Sequence, residues 1–189
     1  MHLSIEDHIA TITLDRPMRA TPSTSRRRSF CVTHASAFGK TTIVCGRFPY
    51  AGRVRAPACE RSRSRHREAN HCAHNGDAID QGLELALACD LRVAASDARL
   101  GLTHLATGII PWDGGTQRLP RVIGQSRATA MILTSRLVDA QEAMDIGLVN
   151  HVAEREEAAE YVMSLATTIA SHAPIAARYL KRRCLKART

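Results

Sequence analysis

Glu84 lies near the start of a predicted helix, directly after a glycine turn, and a carboxylate in this place could transfer protons. Such a turn leaves backbone N–H groups without intrahelical acceptors, and these donors and the helix dipole suit a developing negative charge. Glu84 could then act as a general acid or base. By spacing alone, an ordinary first-turn glutamate stabilised by the dipole is the more frequent case, and both interpretations stay open at this point.

Other residues with chemical potential fit no standard site. The run from Phe38 to Thr42 is similar to a phosphate loop, but His34 stands where the first glycine is needed. A further group of thiols and imidazoles has spacings that match no zinc pattern. Its members are Cys59, His66, His71, Cys72 and His74. We therefore expect no metal site.

The positive charge is concentrated in one segment. The chain has 189 residues and a net charge of +8, whereas residues 21–74 alone carry eleven basic and two acidic side chains. This segment shows no sustained period, and Ile43-Val44 is its only short β-like run. The Arg/Ser-rich part, residues 61–67, gains too little from apolar burial to offset the entropy of ordering. We predict an aperiodic, largely disordered insert at 21–74, solvated and not bound to nucleic acid, since no aromatic residues interleave with the arginines.

The flanking regions have regular patterns. Residues 1–20 contain an alternating β-branched run, His8 to Leu14, which predicts an opening strand and hairpin. Residues 75–189 alternate between strand and helix signals, which predicts an α/β fold with C-terminal helices. The predicted elements are a helix after Gly82, a strand at 91–95, a helix at 125–134, a helix with an N-cap at Asp139 and Gly147 after its end, a strand at 148–152, a helix at 154–173 and a basic helix from Pro174 to about Lys186.

The N-terminal sequence has two early acids and no apolar h-region, which argues against a signal peptide. No stretch reaches the roughly 18–20 apolar residues that span a bilayer. Six cysteines are scattered along the chain, as is usual in a reducing compartment. We therefore expect a cytoplasmic protein that is not associated with a membrane.

Three sequence blocks resemble the crotonase superfamily, the enoyl-CoA hydratase/isomerase family. Residues 76–90 are similar to its pattern G-x-A-x-G-G-G-x-E-L-A-x-x-C-D, residues 108–121 to G-x-x-P-x-x-G-G-T-Q-R-L, and residues 140–152 to E-A-x-x-x-G-L-V-N-x-V. Their order and separation match the family over about 100 residues. The resemblance implies an incomplete crotonase-like ββα spiral core.

The resemblance also implies roles for individual residues. Glu84 matches one of the two carboxylates of the hydratases, and the backbone N–H at Gln81 matches one donor to the enolate oxygen of the thioester. His104 stands where the second glutamate is expected. The imidazole could exchange protons, could only line the pocket, or could mark a loss of activity, and these three interpretations stay open. The substrate-binding positions that the resemblance suggests are Gln81, Gly82, Pro111 and Asp113.

The implied function is hydration or double-bond isomerisation of an acyl-CoA thioester through an enolate, with CoA in the substrate and no separate cofactor. The family resemblance further implies a homo-oligomer, a trimer or a dimer of trimers. The alternative is a catalytically inactive crotonase-like remnant that binds polyanions through its Arg-rich segment.

Three departures from the family pattern favour that alternative. Asp80 and Gln81 replace two glycines of the turn, and a positive φ at a non-glycine residue costs about 1–2 kcal/mol and could tilt the N–H groups. A carboxylate at position 80 would also repel an enolate. Residues 21–74 lack the loop that supplies the family's other oxyanion donor, and the chain stops at Thr189, before the family's last helices. We interpret the segment as out-of-frame sequence or as an unrelated replacement.

Overall fold

The computed structural model describes residues 2–6, 9–14, 41–45, 70–74 and 76–186, and it divides their strands between two sheets. The larger sheet has six strands in the order β1-β2-β3-β4-β6-β9. Their bounds are His2–Glu6 (β1), Ile9–Leu14 (β2), Thr41–Cys45 (β3), Asn70–His74 (β4), Leu91–Ala95 (β6) and His151–Ala153 (β9). β1 to β4 pair antiparallel, and β4, β6 and β9 pair parallel.

The smaller sheet has the order β5-β7-β8 and carries the turn that precedes Glu84. Its strands are Ala78–Ile79 (β5), Arg99–Gly101 (β7) and Val138–Asp139 (β8). β5 pairs parallel to β7 with Ile79 opposite Gly101, and the Asp80 N–H donates to the Gly101 carbonyl at 2.8 Å. This pairing fixes the point at which the chain leaves β5 and enters the next helix.

Among the described residues, six α-helices and a short 3₁₀ helix connect and cover the strands. The α-helices are Gln81–Ala86 (α1), Gly115–Ile123 (α2), Gln125–Thr134 (α3), Ala140–Asp145 (α4), Ala158–Ser171 (α5) and Pro174–Lys186 (α6), and the 3₁₀ helix is His104–Thr107. Most of the buried apolar side chains form one core under α1 to α4. Ala73, Val93 and one face of α5 form a second cluster on the larger sheet.

The α/β class and most elements of the C-terminal part agree with the sequence prediction. The predicted strand at 91–95 and the helix at 125–134 are observed with those bounds. The Asp139 carboxylate caps α4 by accepting the Glu142 N–H at 2.7 Å, and Gly147 follows α4 at a φ of 75°. The predicted hairpin of residues 1–20 is observed as the antiparallel pair of β1 and β2.

Two predicted bounds were wrong. The predicted strand at 148–152 is observed only at His151–Ala153, because the N–H groups of Leu148 and Val149 both donate to the Ala143 carbonyl and close the end of α4. The predicted helix at 154–173 begins only at Ala158, since Glu154 to Glu157 form a turn in which the Glu157 N–H donates to the Glu154 carbonyl.

The insert predicted at 21–74 contains two observed strands. β3 includes the β-like run Ile43-Val44, whereas β4 was missed because its sequence, Asn-His-Cys-Ala-His, has no β-branched residue. β4 is central in the larger sheet, between β3 and β6. Residues 21–40 and 46–69, including the Arg-rich stretch and the loop-like run before Thr41, lie outside the described residues.

Candidate active site

The Glu84 carboxyl group lies in the core although it is ionisable. Glu84 occupies the fourth position of α1, and its relative exposure is 0 %. Its Oε1 accepts a hydrogen bond from the Gly115 N–H at 2.7 Å. Its Oε2 is buried as well, and no described residue donates a hydrogen bond to it. One oxygen is therefore held by the protein, and the other is buried without a hydrogen bond from a described residue.

Two consecutive glycines let α2 approach this carboxylate. Gly114 has a φ of 96°, which a glycine adopts at little cost and which turns the chain into α2. A Cβ at Gly115 would lie 2.8 Å from Glu84 Oε1 and 3.0 Å from Leu102 Cδ1, so any larger residue would push the carboxylate away. The N-terminus of α2 consequently directs a backbone donor and its dipole at Glu84.

The environment of Glu84 raises the pKa of its carboxyl group above the ordinary value of 4.5. The main cause is desolvation by burial, and the Asp113 carboxylate adds to it by electrostatic repulsion. The Gly115 hydrogen bond and the charge of His104 oppose the shift without cancelling it. A carboxyl group with a raised pKa is suited to give and take protons near neutral pH.

This shift predicts how the stability of the protein depends on pH. Between pH 4.5 and the raised pKa of Glu84, the folded protein binds more protons than the unfolded chain, so the free energy of unfolding falls as the pH rises through that window. Glu84→Gln removes the buried charge and keeps an acceptor for Gly115. We expect the variant to be more stable than the wild type at about pH 8, where the wild type has to hold a desolvated charge.

Urea unfolding from about pH 8 to about pH 4 measures this difference. The gain should shrink towards the acid end, where the wild-type carboxyl group is already neutral. Glu156→Gln, at an exposed position, is the matched control and should change the free energy of unfolding little at any pH. A difference between the two proteins that does not change from about pH 8 to about pH 4 would contradict a raised pKa.

His104 lies beside Glu84 at the start of the 3₁₀ helix. Its side chain is 7 % exposed, its Nε2 is 3.9 Å from Glu84 Oε2, and its Nδ1 is 3.1 Å from Asp80 Oδ1. The separation of Nε2 from Oε2 exceeds that of a hydrogen bond, so the two groups are close neighbours and are not bonded to each other. The structure thus places the two residues side by side, and their partnership in proton transfer stays a prediction.

Asp80 supplies the positive φ expected in the altered turn. Its φ is 55° and its ψ −118°, a conformation that glycine adopts far more readily than other residues. Its carboxylate accepts from the Thr103 N–H at 2.6 Å and from the Thr103 hydroxyl at 3.0 Å. The carboxylate is therefore held by the segment before His104.

The four positions suggested for substrate binding lie in two places. Gln81 and Gly82 are the first two residues of α1, where backbone N–H groups have no intrahelical acceptor. The Gln81 side-chain oxygen is also buried, without a hydrogen bond from a described residue. Pro111 and Asp113 lie buried in the loop before α2, and the charge of Asp113 acts on Glu84. The structure thus brings Asp113 to the site, and it places the Gln81 and Gly82 backbone on the same turn as Glu84.

Three residues of the site were not predicted from the sequence. Thr103 holds Asp80, Gly115 holds Glu84, and the Arg118 guanidinium donates to the Asp113 carbonyl at 2.8 Å and to the Glu84 carbonyl at 3.3 Å. Arg118 thereby ties α1 to the loop before α2. Gly115 and Arg118 could have been identified from the Gly-Gly-Thr-Gln-Arg motif that contains them. The sequence prediction assigned no role to the residues of this motif.

The other features of the described residues lie apart from this site. A cavity of about 580 Å³ is bounded by β9 and α5, with His151 and Tyr161 stacked in its wall, and it contains none of the site residues. In the part of the chain that the structure describes, no three His, Cys, Asp or Glu residues are grouped to hold a metal ion. No helix within the same part is long and apolar enough to cross a membrane.

A buried carboxyl group with a raised pKa, an imidazole 3.9 Å away and the first backbone N–H groups of α1 make up a candidate site for proton transfer at a carbon or oxygen atom. Residues 72–189 match the family model described as enoyl-CoA hydratase/isomerase, which covers more than half of the chain. The chain therefore belongs to the enoyl-CoA hydratase/isomerase family, the crotonase superfamily.

Individual relatives agree with this assignment. The chain is 50 % identical over 109 residues to YngF of Bacillus subtilis, covering 58 % of this chain and 42 % of YngF. It is 47 % identical over 113 residues to the mitochondrial methylglutaconyl-CoA hydratase of Mus musculus, covering 58 % of this chain and 36 % of the mouse protein. The structure of DspI from Pseudomonas aeruginosa superimposes with a TM-score of 0.64 at 41 % identity, covering 65 % of this chain and 47 % of DspI.

These comparisons confirm the predicted crotonase-like fold over part of the family's usual length. The chain spans less than half of the length of each of these three relatives. A mitochondrial protein is among them, so the cytoplasmic localisation stays a prediction. The activity, the substrate and the assembly of this chain are matters of proposal.

Proposed function

We propose that the chain acts on an acyl-CoA thioester as an enzyme of the hydratase/isomerase type, through an enolate intermediate. The observation that carries the proposal is the Glu84 carboxyl group, which is buried, anchored through Oε1 by Gly115 and without a hydrogen bond at Oε2 from any described residue. An anchored carboxyl group with one available oxygen can exchange a proton with a substrate atom without rotating away.

The residues around Glu84 support a division of roles. Glu84 would transfer the proton at the carbon next to the thioester carbonyl, and His104, with Nε2 facing the same space, would transfer the second proton. In hydration that proton comes from water, and in isomerisation it belongs to another substrate carbon. The Gln81 N–H would donate to the enolate oxygen, a contact that typically contributes about 3–4 kcal/mol to transition-state stabilisation.

The substrate class rests on the family and on the names of relatives such as methylglutaconyl-CoA hydratase. Pro111 and Asp113 would line the substrate side of the site, in the loop next to Glu84. We propose no separate cofactor, because the CoA thioester itself activates the neighbouring carbon. The homo-oligomer that the resemblance implies stays a prediction.

Ligand binding by the purified chain tests this proposal and the integrity of the fold together. Butyryl-CoA, a saturated thioester that cannot be hydrated, should raise the melting temperature in proportion to the logarithm of its concentration above Kd, and free butyrate should not. At 100 times Kd the expected stabilisation is about 2.7 kcal/mol. A folded protein with an unchanged melting temperature at every butyryl-CoA concentration would favour the inactive, crotonase-like alternative.

A further inference from the structure

Asp80 has a backbone conformation, with a φ of 55°, that is unfavourable for residues other than glycine. A residue other than glycine in such a sparsely populated conformation typically costs about 1–3 kcal/mol. The carboxylate is partly buried, at 21 % side-chain exposure, and the Thr103 N–H and hydroxyl fix its orientation. Glycine would adopt this backbone conformation at a lower free-energy cost, so the contacts of the Asp80 carboxylate have to offset the difference.

Besides its hydrogen bonds from Thr103, the carboxylate makes one further contact that glycine would lack, with His104. Asp80 Oδ1 lies 3.1 Å from His104 Nδ1, and Nδ1 is buried without an aligned hydrogen bond to any described residue. The separation of 3.1 Å is within the usual range of an N–H···O hydrogen bond. The imidazole therefore lies between two carboxyl groups, Asp80 at Nδ1 and Glu84 at Nε2.

This arrangement selects one tautomer of His104. A neutral imidazole has one N–H donor and one acceptor nitrogen, and an ionised carboxylate only accepts. Only Asp80 Oδ1, 3.1 Å from Nδ1, is within hydrogen-bond distance, whereas Glu84 Oε2 is 3.9 Å from Nε2, so the proton belongs on Nδ1 and the lone pair on Nε2. The nitrogen nearest to the reacting group is then the one able to accept a proton.

We propose that Asp80 is a positioning residue that fixes His104 as the Nδ1–H tautomer, so that the replacements of glycine at 80 and glutamate at 104 form one functional unit. When Nε2 takes a proton from the reacting group, the imidazolium carries N–H groups on both nitrogens, and the Asp80 charge stabilises it. After Glu84 has given its proton to the substrate carbon, the proton on Nε2 passes to the Glu84 carboxylate, 3.9 Å away, and the neutral tautomer returns. The inference rests on the proposed function only for its consequence on rate.

Nitrogen NMR of the full chain labelled with ¹⁵N-histidine tests the tautomer directly. Ring nitrogens with and without a proton have well-separated chemical shifts, and the His104 signals are assigned by their loss in His104→Gln. At a pH where His104 is neutral, we expect Nδ1 protonated in the wild type and the Nε2–H form appearing in Asp80→Gly. A wild-type Nε2–H tautomer, or the same tautomer in Asp80→Gly, would overturn the proposal.

Asp80→Gly suits this test because glycine accepts the local φ and relieves the backbone strain. Asp80→Asn keeps the side-chain size and an acceptor oxygen but removes the charge. It should retain the Nδ1–H form more than Asp80→Gly does. An Asp80→Asn variant with less of the Nδ1–H form than Asp80→Gly would contradict a role for the acceptor oxygen.

A double-mutant comparison supplies the kinetic readout, with crotonyl-CoA hydration as the assay. In the protein that keeps His104, Asp80→Gly should lower kcat about 10- to 100-fold. This is the typical loss when the residue that accepts the second N–H of a metal-bound histidine is removed. In the His104→Glu background, Asp80 faces a second carboxylate and repels it, so Asp80→Gly should raise kcat. A purely structural role predicts the same direction in both backgrounds, and that result would overturn the proposal.

The NMR experiment and the kinetic comparison together distinguish a failure of the proposed function from a failure of the proposed role of Asp80. If no variant hydrates crotonyl-CoA or isomerises an enoyl-CoA, the proposed function fails, and the NMR tautomer still decides the role of Asp80. If the wild type is active and the direction of the Asp80→Gly effect does not change, only the role of Asp80 fails.

Discussion

Glu84→Gln is expected to lower the rate of enoyl-CoA hydration or isomerisation by about 10²- to 10⁴-fold, the usual contribution of a general acid or base. The amide keeps the shape of the side chain and an oxygen for the Gly115 N–H, which donates to Oε1 at 2.7 Å. It cannot release or accept a proton at the position that Oε2 occupies in the wild type. Initial rates with crotonyl-CoA and with a 3-enoyl-CoA measure the loss.

The control for this variant is Glu156→Gln, which makes the same chemical change at an exposed position. Its rates should equal those of the wild type. Because Glu84→Gln should also be more stable than the wild type near pH 8, a rate loss cannot be attributed to unfolding. An active wild type whose rates are unaffected by Glu84→Gln would remove Glu84 from the mechanism.

Leu119→Ala is expected to lower the free energy of unfolding by about 2–5 kcal/mol, as do other deletions of a fully buried leucine side chain. Leu119 is 0 % exposed and lies on the face of α2 that packs into the main core. Because α2 begins at Gly115, the donor to Glu84, a loosened α2 should weaken substrate binding as well. Urea unfolding measures the loss of stability.

Leu133→Ala is the matched control on the neighbouring helix, α3. Leu133 is 65 % exposed, so its truncation should change the free energy of unfolding by less than about 0.5 kcal/mol. Equal losses for the two variants would contradict the packing of α2 into the main core.

The sequence predicted those elements whose boundaries are set by local chemistry. The Asp139 cap, Gly147 after α4 and the bounds of α3 all depend on residues within one or two helical turns of each other. β4 was missed because nothing local distinguishes Asn-His-Cys-Ala-His from a loop. Its strand character depends on β3 and β6, which pair with it on either side.

The sequence identified candidate residues of the site but did not predict the contacts between them. Glu84 and His104 were identified through the family motif, and the structure places them 3.9 Å apart. The Gly115 hydrogen bond joins residues 31 positions apart and depends on how α2 packs against α1, which no short-range pattern encodes. Asp80 was interpreted as a defect of the turn, because the sequence alone does not reveal that its carboxylate faces Thr103 and His104.

The central claim is that Glu84 exchanges a proton with the carbon next to the thioester carbonyl, and hydrogen exchange measures this most directly. Butyryl-CoA is incubated with the purified chain in D₂O, and deuterium at that carbon is followed by mass spectrometry and proton NMR. We predict incorporation with the wild type and with Glu156→Gln, and a rate reduced by at least about 10²-fold with Glu84→Gln. Absence of exchange with folded wild-type protein that binds butyryl-CoA would contradict this claim.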